Sequence, residues 1–268
     1  MTMRFAIQSS RVVTPQGICA AIVLVQGERI ESVVSPHKLP RGIEVEDLGD
    51  LVISPGIIDS HVHVNEPGRT DWEGFETATR AAAAGGVTTV VDMPLNSSPV
   101  TTSLGALRKK QASAGKNSYV DVGFYGGLVP GNSRDIESLL DAGVCGIKAF
   151  LCDSGLDDFP AVTERELREV LPLLAYRKVP LLVHAELPIA PASPMRDASN
   201  YRQYVNSRPR EWERAAIELL IGLCREYRAP IHIVHLADAD SLDAIRAARR
   251  EGLALSVETC PHYLSFCD

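Results

Sequence analysis

His61 and His63 are separated by a single residue in the segment Asp59-Ser60-His61-Val62-His63, directly after Pro55-Gly56-Ile57-Ile58. On extended backbone, residues two apart project from the same face, so both imidazoles can reach one ion. Imidazole is a common ligand for zinc and other late divalent metals. Taken alone, the pair is equally compatible with two histidines on a solvated strand end, each in an ordinary hydrogen bond. Other residues favour the metal reading. His184 follows the apolar run Pro180-Leu181-Leu182-Val183, His235 follows Ile231-His232-Ile233-Val234, and Lys148 sits in Val144 to Phe150. A charged amine inside an apolar strand is costly unless it is neutralised, paired, modified or able to snorkel to solvent. His232, three residues before His235, is expected on the opposite side of its strand, packed or at the surface. His262, in Glu258-Thr259-Cys260-Pro261-His262, either lines the site rim or fixes its loop, and His37 has no clear placement.

Positioning these groups requires a repeating scaffold, and the chain after residue 50 supplies one. Seven short apolar runs begin at Leu51, Val87, Tyr119, Val144, Val179, Ala229 and Leu253. Helix-like segments lie between them. Phe75 to Ala84 closes at Gly85-Gly86, Asp135 to Ala142 closes at Gly143, and Thr163 with Glu166 has capping-box spacing. Pro209 to Arg228 and Ser241 to Arg250 complete the set. Near-continuous apolar strands alternating with helices require a parallel sheet covered on both faces. The fold expected is α/β, a (β/α)8 TIM-type barrel over residues 51–268 with about seven strands present and the eighth missing. His61 and His63 would end strand one, Lys148 strand four, His184 strand five and His235 strand six, converging on the rim where barrel active sites are built. Residues 1–50 read differently: short β-branched segments punctuated by Pro15-Gln16-Gly17 and Gln26-Gly27 predict a small antiparallel β subdomain, ending in the Pro/Lys/Arg-rich stretch Ser35 to Arg41.

The chain has 268 residues, 45% of them hydrophobic and 23% charged, with a net charge of −7. That mixture buries a sizeable core, and the acidic balance argues against a nucleic-acid partner, which would want clustered Lys and Arg. No apolar stretch approaches the roughly 18 residues of a membrane span, and the N-terminus lacks an apolar signal region, so a cytoplasmic protein without a membrane partner is expected. The six cysteines are scattered without a C-x-x-C pair and read as reduced thiols.

The stretches PGIIDSHVHVNEPGRTDWEGFETATRAAAAGGVTTVVDMPLNSSP (55–99), GIKAFLCDSGLDDFP (146–160), LLVHAE (181–186), IHIVHLADA (231–239) and ETCPHYL (258–264) resemble the amidohydrolase superfamily and, within it, the allantoinases among the cyclic amidohydrolases. The resemblance runs through most of the chain after residue 50. It implies two divalent ions per subunit on the barrel, zinc by default with Co, Mn or Fe as alternatives. His61 and His63 would hold one ion and His184 and His235 the other, with Lys148, carboxylated by carbon dioxide, as the bridge. The reaction implied is hydrolysis of the cyclic amide of allantoin to allantoate, in purine and ureide catabolism. Asn65 stands where similar dihydroorotases carry a carboxylate-binding Arg, and Asp153 where dihydropyrimidinases and hydantoinases place a Tyr. Asn96 and Ser154 would contact the substrate or shape loops. The family's general base, an Asp ending strand eight that also ligates a metal, is expected beyond residue 268; Asp268 lies where the strand-seven loop should be, and Asp59 supports the strand. The resemblance further suggests a homotetramer for a full-length chain, of which these residues would form the front part, poorly stable alone because an open barrel exposes apolar edges. The alternatives are a hydantoinase or dihydropyrimidinase, or a non-catalytic fragment or pseudoenzyme that binds metal or a partner without turnover.

Overall fold

The computed structural model describes residues 3–39, 42–191, 193–197 and 199–266. The chain divides into two compact units, Met1–Ile57 and Ile58–Asp268. The first holds β1 (Arg4–Thr14), β2 (Gly17–Gln26), β3 (Arg29–Val34), β4 (Val45–Asp47) and β5 (Val52–Ile53). β1, β2 and β3 pair antiparallel, and the β2–β3 turn uses Gly27 at φ 61°, a conformation that only glycine enters cheaply. The sheet is nevertheless mixed rather than antiparallel, because β4 and β5 both run parallel to β1. After β3 the chain passes through the 3-10 turn Pro36–Lys38 and re-enters the sheet on the far side of β1, which fixes that direction. Val52 and Ile53, expected to open the first barrel strand, instead pair with Arg11 and Val12. Part of the basic stretch, Pro40 and Arg41, lies outside the described residues, as do Cys267 and Asp268.

The second unit repeats strand and helix. Its strands are β6 (Ile57–Val62, which spans the division), β7 (Val87–Asp92), β8 (Asp121–Phe124), β9 (Gly126–Gly127), β10 (Ile147–Phe150), β11 (Leu181–His184), β12 (Ile231–Ile233) and β13 (Leu255–Val257). β8 and β9 are two halves of one strand interrupted at Tyr125, so the described residues supply seven barrel strand positions. They are laid down in sequence order, β6-β7-β8 and then β9-β10-β11-β12-β13. The helices are α1 (Phe75–Ala84), α2 (Leu104–Asn117), α3 (Ile136–Asp141), α4 (Glu164–Arg177), α5 (Tyr201–Asn206), α6 (Arg210–Tyr227) and α7 (Leu242–Arg250). This is the (β/α) barrel architecture. α4 opens on the expected capping box between Thr163 and Glu166. α2 was not legible in the sequence: LGALRKKQASAGKN has a thin apolar stripe and two interior glycines, and Ser103 caps it through the Ala106 N–H.

Strand alternation sorts the core into two layers. Ile147, Ala149, Leu181, Val183, Ile231 and Ile233 face the helices, with Leu167, Leu171, Ala216 and Leu220 packed on them. Phe150, Leu182 and Val234 face the barrel interior with Met93 and Tyr125. Lys148 and His184 keep the inward parity of Phe150 and Leu182. Cys19, Cys145, Cys152, Cys224 and Cys260 are free thiols.

Candidate active site

The C-terminal strand ends bring four histidines to one rim. Ring centroids lie 5.4 Å apart for His61 and His63, 5.8 Å for His61 and His235, and 4.6 Å for His184 and His235. His184 Nδ1 is 3.0 Å from His235 Nε2, and the Phe150 ring stacks on His184 at 4.6 Å. Lys148, 1% exposed, places Nζ 5.0 Å from the Phe150 ring centre. His235 takes φ 39°, a left-handed conformation unusual for a residue with a Cβ; such strain concentrates at functional positions.

The donor set fits divalent cations. A carbonyl can only accept, so the 2.7 Å contact from His63 Nδ1 to the Leu95 carbonyl places the proton on Nδ1 and leaves Nε2 as a free lone pair. His184 Nε2 is buried without a hydrogen-bond partner, the Glu186 carboxylate lying 3.6 Å away, so its lone pair can serve a cation. Burial lowers Lys148 to about 7, against the opposing pull of Glu258, so a neutral amine is available near physiological pH. Burial likewise lowers His235 to about 3 and lowers His184, keeping both imidazoles neutral. His63 is lowered to about 4 by desolvation, yet its side chain is open to solvent, and that exposure screens the effect.

Residues 52–201 match the amidohydrolase family, and residues 2–50 match the allantoinase composite domain. The chain belongs to the amidohydrolase family. It is 47% identical to the allantoinase of Streptomyces avermitilis over 266 residues, covering 98% of this chain and 60% of that protein. It is 48% identical to the allantoinase of Arabidopsis thaliana, covering 97% of this chain and 55% of that one. A mitochondrial allantoinase of Aquarana catesbeiana is 47% identical, covering 97% and 54%. Among solved structures, the L-hydantoinase (dihydropyrimidinase) of Arthrobacter aurescens superposes with a TM-score of 0.88 at 28% identity, covering 99% of this chain and 60% of that one. The dihydropyrimidinase of Brevibacillus agri gives 0.82 at 26%, covering 98% and 58%. The chain thus spans between about half and three fifths of the length of these relatives.

The site also contains groups that the sequence did not single out. Glu258, two residues past Ser256 and directly after β13, contacts His61 Nδ1 and lies 3.3 Å from His232 Nε2. Partial burial would raise its pKa, but hydrogen bonds from His232 and His61 prevail and hold it well below the usual carboxylate range. His232 also bonds Ser256 Oγ at 2.8 Å, so it is packed, as one expectation had it, but on the interior beside the site. The alternation argument fails there because β12 ends at Ile233 and the left-handed turn at His235 resets the phase. Cys152, His184 and Glu186 form the group of potential ligands lying closest together among the described residues, within 4.8 Å of one another. Burial and the neighbouring Glu186 raise the Cys152 thiol to about 11, so without a bound ion it stays protonated. Glu186 accepts from Arg208 at 2.6 Å, beside a cavity of about 230 Å³ that His184, His235, Tyr204 and Tyr263 also line. Asn96 is half-buried after Leu95, and its carbonyl accepts from Arg69 at 2.7 Å. The Ser154 hydroxyl is engaged within its own loop, donating to the Phe159 carbonyl at 2.6 Å and accepting from Leu156 N–H at 3.2 Å. Asp59 caps the backbone N–H of His61 at 3.1 Å, a support for the strand.

Proposed function

We propose that the complete enzyme hydrolyses the cyclic amide of allantoin to allantoate, using two divalent ions held by His61, His63, His184, His235 and Lys148. The observation that carries this reading is the convergence of four imidazoles and one buried amine at the rim of an amidohydrolase barrel. The 47% identity to the Streptomyces allantoinase supports the substrate. His61 and His63 would hold one ion, His184 and His235 the other. The neutral Lys148 amine would add to carbon dioxide, one C=O π pair moving to oxygen and one N–H proton leaving to solvent, which would give an anionic carbamate able to ligate both ions. Bound ions would supply a hydroxide nucleophile at neutral pH and polarise the ring carbonyl.

The chain's own residues then orient and bind. Glu258 holds the His61 ring through Nδ1, and the Leu95 carbonyl does the same for His63. Asn96, exposed enough to reach the mouth, is the proposed polar contact for the ureide; Ser154, bonded within its loop, would contribute by shaping it. Zinc is the proposed metal, a homotetramer the proposed assembly, and the cytoplasm with purine catabolism the proposed setting. No helix among the described residues is long and apolar enough to cross a membrane.

A second reading, hydrolysis of hydantoins or dihydropyrimidines, draws on the TM-score of 0.88 with the Arthrobacter hydantoinase. Assaying the complete enzyme side by side with allantoin, hydantoin and dihydrouracil decides between them. Dominant turnover of allantoin is expected; dominant turnover of hydantoin would replace the first reading by the second.

A further inference from the structure

Lys110 lies on α2, in the outer helical layer, yet it is fully buried, as is Asp92 at the end of β7. Lys110 Nζ sits 2.7 Å from Asp92 Oδ2 and donates to the Met93 carbonyl at 2.8 Å. The other Asp92 oxygen, Oδ1, accepts the backbone N–H of Val64 at 2.7 Å. The next residue, Met93, donates its N–H to the Val62 carbonyl at 2.8 Å. Both chain neighbours of His63 are therefore fastened to Asp92 and Met93, and the His63 ring is fastened to Leu95 two residues further on. A solvent-exposed helix lysine would cost nothing to keep, whereas burying this pair requires desolvating two charges, and such pairs contribute little net stability compared with apolar replacements. What a buried pair can supply is a fixed geometry.

We propose that the Lys110–Asp92 pair is a positioning device for His63, clamping the backbone on either side of it so that Nε2 is presented at the rim. The inference rests on the reading of His63 as a metal ligand. Lys110 and Asp92 act through the main chain of Val62 to Val64 and touch no substrate. The pair is a second support behind the ligand, and supports of that kind typically change metal affinity by about 10–100-fold.

The test is a Co(II) titration of the metal-free chain, followed by visible absorption, with the thermal midpoint recorded in parallel. The variant is the double replacement Lys110→Met with Asp92→Asn, which removes both charges while leaving an oxygen to accept from Val64. Cobalt should bind the variant about 10–100-fold more weakly, with weakened ligand-field bands. Thr163→Ala, which damages only the α4 cap, should lower the thermal midpoint but leave the Co(II) dissociation constant unchanged. If the double variant is recovered unfolded, Lys110→Arg, which keeps the charge but shifts its anchor, is read by the same ratio. Unchanged cobalt affinity and spectrum in the folded variant would overturn the positioning role alone. A wild-type chain that takes up no cobalt would overturn the metal reading and this inference with it. Loss of affinity in Thr163→Ala to the same degree would show mere loss of stability, and would also overturn it.

Discussion

His61 lies in β6 and His63 directly after it, at the end of a three-stranded row, whereas His184 ends β11 and His235 follows β12, strands with a neighbour on both sides. The two pairs are held differently. Ile57 and Ile58, which open β6, are 59% and 64% exposed within these 268 residues. Polar tethers reach it: the Leu95 carbonyl, Glu258, and the Lys110–Asp92 pair beneath Val64. β11 and β12 are wedged between helices and barrel interior, with Leu181, Val183, Ile231 and Ile233 fully buried. There the ring of His184 is set by stacking on Phe150, and that of His235 by a left-handed backbone. Within these residues, one histidine pair is met chiefly by polar tethers and the other by close packing.

The comparison can be broken from either side. Removing one member of the buried pair, Asp92→Leu, leaves Lys110 charged and alone and should cost about 3–5 kcal/mol in urea unfolding. On the packed side, Leu181→Ala should cost about 2–5 kcal/mol by the same measurement, through lost burial and a cavity. Acid sharpens the contrast. His235 is held neutral with a pKa of about 3 against an ordinary 6.5, so below about pH 6.5 the unfolded chain binds a proton that the folded chain refuses. Stability of the metal-free protein should therefore fall as pH drops from 6.5 towards 3, with a slope of up to about 1.4 kcal/mol per pH unit from this residue. His235→Gln should flatten that slope, as measured by urea midpoints across the range. Thr163→Ala, remote from both histidine pairs, should cost only about 1 kcal/mol. Smallest of all, Ile58→Ala at the exposed edge should change stability by no more than about 0.5 kcal/mol.

The packed half was the more legible in the sequence. Apolar runs closing in His184 and His235, and a lysine embedded in one, announce inward-facing groups on adjacent strands through period-two alternation. The edge half was legible only as His61-Val62-His63, because its supports come from far along the chain. Lys110 is 18 residues beyond Asp92 on a helix with little apolar periodicity, and Glu258 is 197 residues beyond His61. No local pattern marks Lys110 as buried or Glu258 as a histidine partner; only tertiary placement does. The same limit explains the mixed first sheet. Strand content follows from β-branched residues, but the parallel return of β4 and β5 depends on where the chain crosses after β3. It also explains His232, whose expected side was reversed in consequence by a single left-handed residue beyond the strand end.

Both histidine pairs and Lys148 are proposed to act as one metal centre. Metal analysis of protein purified without added metal, alongside Lys148→Ala, tests it most directly. The arrangement predicts about two divalent ions per chain in the wild type and a sharp fall when the Lys148 amine is removed. Metal content at background in the wild type, or equal content in Lys148→Ala, would contradict it.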